Sequence, residues 1–332
     1  MSDLRFDPIN GQWLAIARNR LGRPTEFVPT EQIRQQLICP FCRGHEEETP
    51  SALAAYRSDG SPLSADDDAD SWTSRVVPNK FPAFAEQTNN VECGPYDRFD
   101  LQGAQEIIIP TSRHVTSMNE LTDDELYVSF GVYQDRVRVM MANPSISHAM
   151  LFMNCRSAAG ASLGHIHTQL IGAPVASEFL KERAQRNQNH FDEHGCSLMR
   201  TLLNWELQMG VRVIHQSERL VAFCPFASRF AFQVWIVPLV QQVDFAAVDL
   251  DMKNELAFLC RKVIDRYEEV LDQPAYNWLL HASPRGFESD ARNWYFELFP
   301  RLTRPAGFEL GTDIWINPVA PELAARRLRA EN

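Results

Sequence analysis

The chain has 332 residues, of which 45% are hydrophobic and 23% charged, a composition typical of globular proteins rather than disordered or fibrous ones. Its formal net charge of −11 argues against binding along a nucleic-acid backbone, since such binding requires clustered lysine and arginine. No segment approaches the roughly 20 apolar residues that span a bilayer, and the first residues lack the apolar core of a signal peptide, so we expect a cytoplasmic protein.

The first half of the chain contains short apolar runs, bounded by proline, glycine or asparagine, that predict strands. These runs cover residues 75–81, 106–110, 150–154 and 167–172. Residues 119–143 place apolar side chains at helical spacing behind an acidic opening turn, which predicts one long helix. The acidic segment 58–71 has too little apolar content to pack and is predicted to be an exposed loop.

The second half repeats this order of elements weakly. Residues 233–256, like residues 106–126, have the pattern of a strand, a proline, a loop and a helix. A coincidence of strand patterns is the alternative explanation. We predict two related α+β halves, with residues 1–178 as the first domain and residues 179–332 as the second.

A second match between the halves concerns two histidines. Residues 293–302 correspond to residues 165–174, but Asn293, Tyr295 and Glu297 stand where the first half has histidine, histidine and glutamine. We therefore expect that only the first half keeps the residues needed for histidine chemistry.

Cys39 and Cys42 are the only closely spaced pair among the seven cysteines. The spacing of Cys-Pro-Phe-Cys allows both sulfurs to bind one zinc ion, and neutral imidazoles of His114 and His165 would complete a tetrahedral Cys₂His₂ set. The alternatives are two buried thiols or a redox pair, and for His114 an ordinary polar loop residue. We expect the ion to be structural, because four protein ligands leave no open position for water.

Residues 160–169 form the most informative segment of the sequence. Because side chains alternate along an extended strand, His165, His167 and Gln169 are predicted to share one face. A neutral imidazole at His167 could attack an α-phosphorus and form a covalent nucleotidyl-histidine. The alternative is three polar side chains on the solvent-facing side of a strand.

Small residues come directly before these histidines. Gly160, Ser162 and Gly164 permit a tight loop whose backbone N–H groups could approach phosphate oxygens closely. The hydroxyl of Ser162 and the amide of Gln169 are further donors suited to the charge that develops on those oxygens.

Six motifs occur in order along nearly the whole chain. They are FDPINGQWLAIARNRLGRP at 6–24, CPFC at 39–42, VVPNKFP at 76–82, SRH at 112–114, MNCRSAAGASLGHIHTQ at 153–169 and AGFELGTDIWINP at 306–318. As a set they resemble the galactose-1-phosphate uridylyltransferase family, a branch of the histidine-triad superfamily. The resemblance implies an α+β fold of two histidine-triad-like halves, each a mainly antiparallel sheet with flanking helices, and a homodimer.

The resemblance also implies roles for individual residues. His167 falls at the family's nucleophile, and Gln169 falls at the glutamine that hydrogen bonds to the phosphate of the intermediate. The structural zinc ligands that it implies are Cys39, Cys42, His114 and His165. The phosphate- and nucleotide-contacting positions that it implies are Arg20, Arg23, Asn79, Asn154, Gly160, Ala161 and Ser162, and Glu309 matches a glutamate that contacts the hexose.

Two departures from the family pattern concern the histidines. Ile166 stands between the two histidines, where the family commonly has proline. Tyr295 and Glu297 replace two histidines of a second metal site that some members contain. Since Glu297, His281 and Glu178 leave only a three-ligand remnant there, a second metal is doubtful.

The leading hypothesis is a UDP-glucose:hexose-1-phosphate uridylyltransferase that works by ping-pong transfer through uridylyl-His167. Near Trp315, however, the glutamine of bacterial galactose enzymes is replaced, and this segment looks more like plant adenylyltransferases that act on ADP-glucose or adenylyl sulfate. An adenylyltransferase or phosphorylase is therefore the alternative, and a non-catalytic nucleotide-binding zinc module is a third hypothesis. The expected partners are a nucleotide sugar and a sugar phosphate or phosphate.

Overall fold

A computed structural model describes residues 3–16, 38–64, 71–83, 103–287 and 289–329 of the chain. The helices are α1 (Asp123–Ala142), α2 (Glu178–His194), α3 (Leu198–Met209), α4 (Leu250–Leu271), α5 (Gly307–Thr312) and α6 (Pro321–Leu328). The strands are β1 (Asp3–Asp7), β2 (Gln12–Ile16), β3 (Ala54–Tyr56), β4 (Ser74–Pro78), β5 (Ala104–Ile109), β6 (His148–Cys155), β7 (Thr168–Ala173), β8 (Val213–Gln216), β9 (Leu220–Phe223), β10 (Val234–Pro238), β11 (Tyr276–His281), β12 (Tyr295–Pro300) and β13 (Trp315–Asn317).

Ten strands form one antiparallel sheet in the order β3-β4-β5-β7-β6-β11-β12-β10-β9-β8. Each half of the chain supplies five of them, and the same connectivity runs inward from either edge until β6 pairs with β11. The register also repeats, because Ile107 lies opposite Gln169 in the first half and Trp235 lies opposite Glu297 in the second. The prediction of an α+β fold with two related halves is confirmed, while the domain boundary after residue 178 stays a prediction.

One face of the large sheet is covered by α1 and α4. The main hydrophobic core lies on this side, and its members include Ile108, Leu170, Phe130 and Leu256. Thr168 also points this way, because its hydroxyl lies 2.8 Å from the Tyr133 hydroxyl on α1. Since side chains alternate across an extended chain, His167 and Gln169 lie on the opposite face.

The strands and the long helix of the first half lie close to where the sequence placed them. The run predicted for 75–81 ends early, at Pro78, and the strand predicted from residue 167 begins at Thr168. His165 and His167 therefore stand in the irregular segment before β7, although the alternation of faces extends through them. The described part of the predicted loop at 58–71 contains a turn and one isolated bridge, from Pro62 to Tyr56, and most of its side chains are exposed.

A capping interaction sets the start of α1 and fixes the loop before it. Thr122 and Glu125 form reciprocal side-chain to backbone hydrogen bonds at the helix N-terminus. Glu125 also accepts hydrogen bonds from Arg113, with Nε at 2.9 Å, and from the Thr111 hydroxyl at 2.5 Å. Burial raises the pKa of Glu125, but Arg113 and Thr111 outweigh it and lower that pKa to about 2. The loop that carries His114 is thus tied to the helix.

The smaller sheet joins the two ends of the chain. Strands β1 and β2 pair antiparallel, and β13 pairs parallel to β2. Arg5 on β1 forms an ion pair with Glu322 on α6 at 2.9 Å. Among the described residues, no helix is long and apolar enough to cross a bilayer.

Candidate functional site

His167 lies directly before β7 and is buried. Its Nδ1 lies 2.9 Å from the backbone oxygen of His165, and because a carbonyl oxygen only accepts, Nδ1 carries the proton of the neutral ring. Burial lowers the pKa of His167, which favours that neutral form. Nε2 therefore holds the unshared electron pair that a nucleophile requires.

The rings of Phe41 and His167 meet edge to face, with centroids 5.2 Å apart. Phe41 is itself buried between the two cysteines of the Cys-Pro-Phe-Cys segment. This contact restricts the rotation of the imidazole and links the cysteine segment to the candidate nucleophile. The spacing of the two cysteines gave Phe41 no role of its own, although an aromatic residue inside a metal-binding turn was a usable signal.

Cys39, Cys42, His114 and His165 come together, with all four candidate ligand atoms within 4.8 Å of one another. His165 Nδ1 lies 3.6 Å from each sulfur, and His114 Nδ1 lies 3.4 Å from the Cys42 sulfur. Zinc bonds of about 2.3 Å to sulfur and about 2.0–2.1 Å to nitrogen place tetrahedral sulfur and nitrogen ligands about 3.6 Å apart. The four residues therefore fit a tetrahedral metal ion, as the sequence predicted.

The ring of His165 is oriented for binding through Nδ1. Its Nε2 donates to the backbone oxygen of Thr111 at 3.1 Å, so Nδ1 keeps the free electron pair. Burial, followed by the neighbouring His114, lowers the pKa of His165 to about 4 and keeps the ring neutral. Both features favour metal ligation.

Gln169 lies on β7, on the same face as His167, and is half-buried. Its Oε1 accepts a hydrogen bond of 3.0 Å from Nε2 of Gln105 on β5. No described residue hydrogen bonds to Nε2 of Gln169. The NH₂ group of Gln169 is thus free to donate to a ligand. The contact with Gln105 could not be predicted from the sequence, because Gln105 lies 64 residues before Gln169.

Residues of the second half support the loop before the histidines. Asn277 on β11 donates to Oδ1 of Asn154 at 2.7 Å and to the backbone oxygen of Ala159 at 2.9 Å. Arg156 reaches Glu268 on α4 at 2.9 Å. The roles of Asn277 and Arg156 could not be predicted from the sequence, since their contacts cross the junction between the halves.

The loop before the histidines does not offer all the backbone N–H groups that the sequence predicted for phosphate. Gly160 has a φ of 96°, a left-handed conformation that favours glycine. The backbone N–H groups of Gly160 and Ala161 donate to Ser157 and Arg156 within the loop, so they are not available to phosphate oxygens. Their contribution is to shape the turn that leads to Ser162, whose side chain is exposed.

The remaining predicted contact residues are dispersed. Asn79 comes next to the site, because its backbone N–H donates to the backbone oxygen of Gln105 at 2.8 Å. Glu309 lies on α5, where it accepts from the backbone of Ala306 at 3.0 Å, and no described contact joins it to His167. Arg20 and Arg23 lie outside the described residues.

The second half contains a buried ionic cluster at the place that corresponds to this site. His281 Nε2 donates to Glu297 at 2.6 Å, and Arg183 donates to His281 Nδ1 at 2.7 Å. Arg229 and Gln233 donate to Glu297 at 3.3 Å and 2.5 Å. Burial raises the pKa of Glu297, but Arg229 and His281 outweigh it and lower that pKa to about 2.

This ionic cluster does not fit a second metal ion. Both nitrogens of His281 already have partners, and two guanidinium groups supply the positive charge that a metal would bring. Glu178 is exposed and pairs with Lys181 instead of joining His281. The described residues around His281 and Glu297 therefore form an ion-pair network instead of a metal site.

Replacing Glu297 tests whether this cluster stabilises the fold. Glu297→Leu leaves Arg229 buried without its carboxylate and should lower the free energy of unfolding by about 3–5 kcal/mol in urea titrations. Glu269→Leu removes an exposed carboxylate from α4 and should change it by no more than about 0.5 kcal/mol. Equal effects of the two substitutions would contradict this assignment.

Comparisons with curated proteins find similarity over the whole chain. ADP-glucose phosphorylase of Arabidopsis thaliana is 28% identical, covering 98% of this chain and 92% of that protein. Galactose-1-phosphate uridylyltransferase of Thermotoga maritima is 25% identical, covering 99% and 98%. No family model matches the chain.

Solved structures give the same result. A crystal structure of the Arabidopsis thaliana ADP-glucose phosphorylase with bound ADP-glucose has a TM-score of 0.82 and 26% identity, covering all of both chains. A uridylyltransferase structure has a TM-score of 0.77 and 20% identity over 99% and 98%, which shows a shared fold. The predicted resemblance to the galactose-1-phosphate uridylyltransferase family is therefore confirmed over the full length of the chain.

Proposed function

We propose that this chain transfers a nucleoside monophosphate from a nucleotide sugar to a phosphate acceptor through a covalent bond to His167. The orientation of the His167 ring carries the proposal, because the hydrogen bond from Nδ1 to the His165 carbonyl leaves the Nε2 electron pair free. Similarity to uridylyltransferases and to an ADP-glucose phosphorylase supports group transfer of this kind.

In the first half-reaction, Nε2 of His167 attacks the α-phosphorus in line with the oxygen that bridges the two phosphates. A nitrogen–phosphorus bond forms, the bond to the bridging oxygen breaks, and the electron pair leaves with the sugar 1-phosphate. No proton has to leave His167, since Nδ1–H remains hydrogen bonded to the His165 carbonyl and disperses the charge of the nucleotidyl-imidazolium.

In the second half-reaction, a phosphate oxygen of the acceptor attacks the same phosphorus. The nitrogen–phosphorus bond breaks and its electron pair returns to Nε2, which regenerates neutral His167. A sugar 1-phosphate as acceptor gives a new nucleotide sugar, and inorganic phosphate gives a nucleoside diphosphate.

Gln169 and Ser162 are the donors that we propose for the non-bridging phosphate oxygens, where negative charge increases in the transition state. Contacts with the nucleotide are proposed for Asn154, Gly160 and Ala161, as the motifs imply. Contacts with the nucleotide, the phosphates and the hexose are further proposed for Asn79, Arg20, Arg23 and Glu309, as the motifs imply.

ADP-glucose is the donor that we propose first, with inorganic phosphate as the acceptor. This reverses the order that the sequence suggested, where uridylyl transfer from UDP-glucose came first. The identity of 28% with ADP-glucose phosphorylase and the TM-score of 0.82 with its ADP-glucose complex favour the adenylyl donor. UDP-glucose remains the second candidate, since the uridylyltransferase of Thermotoga maritima matches 99% of the chain.

Intact-mass spectrometry tests the covalent step. After exposure to ADP-glucose or UDP-glucose without acceptor, the protein should gain one nucleoside monophosphate, and the adduct should disappear when inorganic phosphate or galactose 1-phosphate is added. His167→Ala should form no adduct, whereas His194→Ala, which changes an exposed histidine at the end of α2, should react like the unchanged protein. Nucleotide binding without any adduct would favour the non-catalytic binding module instead.

Zinc is the metal that we propose for Cys39, Cys42, His114 and His165. Two sulfur and two imidazole ligands at tetrahedral spacing are typical of structural zinc, which would hold the loop of Cys39 and Cys42 against the segment before β7. The ion supplies folding energy and takes no part in the transfer. The homodimer and the cytoplasmic location likewise stay predictions.

Metal analysis of the purified protein should find one zinc per chain. Cys39→Ala should lose the zinc and lower the melting temperature by several degrees, because ion binding stabilises only the folded state. Cys196→Ala replaces a half-buried cysteine outside the cluster and should keep the zinc. Loss of activity on chelation with an unchanged melting temperature would contradict a structural role.

A further inference from the structure

We infer that Gln105 is a positioning residue that fixes the direction of the Gln169 amide, so that the NH₂ group of Gln169 faces the phosphate at His167. The inference rests on the proposed function and adds to it a residue outside every motif singled out in the sequence. It concerns which end of a nearly symmetric amide group is presented to the substrate.

A chain of hydrogen bonds determines that direction. The backbone N–H of Ala83 donates to Oε1 of Gln105 at 2.9 Å, and a backbone N–H can only donate. Gln105 must therefore present its Nε2 to Gln169, and Oε1 of Gln169 accepts from it at 3.0 Å. The orientation of both amides thus follows from one main-chain donor.

Gln105 is itself held firmly. It lies on β5, and its backbone oxygen accepts from the backbone N–H of Asn79 at 2.8 Å. Its side chain and its backbone therefore both bind the segment that follows β4. The Gln169 backbone is fixed in β7, between Ile107 and Phe152 of the neighbouring strands.

The direction of the Gln169 amide has a chemical consequence. Its Nε2 has two N–H donors, one or both of which can bind an anionic phosphate oxygen, whereas its Oε1 can only accept and would repel that oxygen. A glutamine free to rotate would present each end part of the time. Holding Oε1 away from the substrate preorganises a donor for the negative charge that develops on the non-bridging phosphate oxygens.

Two substitutions at Gln105 change the orientation of the Gln169 amide without removing that amide. Gln105→Glu offers only acceptors, so it takes the NH₂ group of Gln169 for itself and turns Oε1 towards the phosphate. Gln105→Met keeps the length of the side chain but makes no hydrogen bond, so Gln169 rotates freely. The matched control is Gln185→Met, because Gln185 makes a similar amide contact of 2.8 Å with Asn189 on the exposed surface of α2.

The experiment measures the single-turnover rate of adduct formation with saturating ADP-glucose, and with UDP-glucose in parallel. We expect about a 100-fold loss for Gln105→Glu, the size of a lost transition-state donor. We expect about a tenfold loss for Gln105→Met and none for Gln185→Met. Melting curves that match the unchanged protein would show that the fold is preserved.

A double substitution shows whether Gln105 acts through Gln169. In a Gln169→Met background, Gln105→Met should cause no further loss of rate, since no amide remains to be oriented. If the two losses multiply, or if Gln105→Glu reacts as fast as the unchanged protein, the inference is wrong while the proposed function stands. If the unchanged protein forms no adduct with either nucleotide sugar, the proposed function fails and this inference with it.

Discussion

The hydrogen bond between the His167 ring and the His165 carbonyl is the contact on which the proposed chemistry of this molecule depends. It keeps the proton on Nδ1 and leaves the electron pair on Nε2. The ring of His165 is itself part of the four-residue cluster with Cys39, Cys42 and His114. One residue therefore joins the candidate metal site to the candidate nucleophile, through its ring on one side and its backbone on the other.

The sheet gives this short segment its rigidity. Ile166 and Thr168 point into the core beneath α1, which fixes the alternation that aims His167 and Gln169 at the opposite face. The second half contributes as well, because Asn277 supports the loop before the histidines. Its own corresponding position has lost the histidine chemistry and is filled by paired charges around Glu297. One half thus holds the candidate reactive groups, and the other supports them.

The sequence predicted the parts of the site that follow from local spacing. The alternation from His165 to Gln169 and the Cys39–Cys42 pair are local patterns. Because structural zinc has four ligands, the cysteine pair also predicted two further ligands. The repeated strand pattern likewise predicted the two halves. These elements could be found because each depends on residues close in sequence or on a known preference of a metal.

The parts that the sequence did not reveal depend on contacts across the sheet. Gln105 meets Gln169 only because β5 pairs with β7, and Asn277 meets Asn154 only because the halves join at β6 and β11. The loop of Gly160, Ser162 and Gly164 was expected to offer backbone N–H groups to phosphate, yet the tight turn uses those of Gly160 and Ala161 internally. Which N–H groups already have a hydrogen-bond partner can be seen only in the folded backbone.

In the proposed reaction, the α-phosphorus forms a bond to Nε2 of His167 before it is transferred to the acceptor. The stereochemical course at the α-phosphorus tests this most directly, using ADP-glucose or UDP-glucose made chiral there by a sulfur atom. Two in-line displacements, one to His167 and one from it, should give overall retention of configuration. Inversion would mean a single direct displacement and would contradict the covalent role of His167.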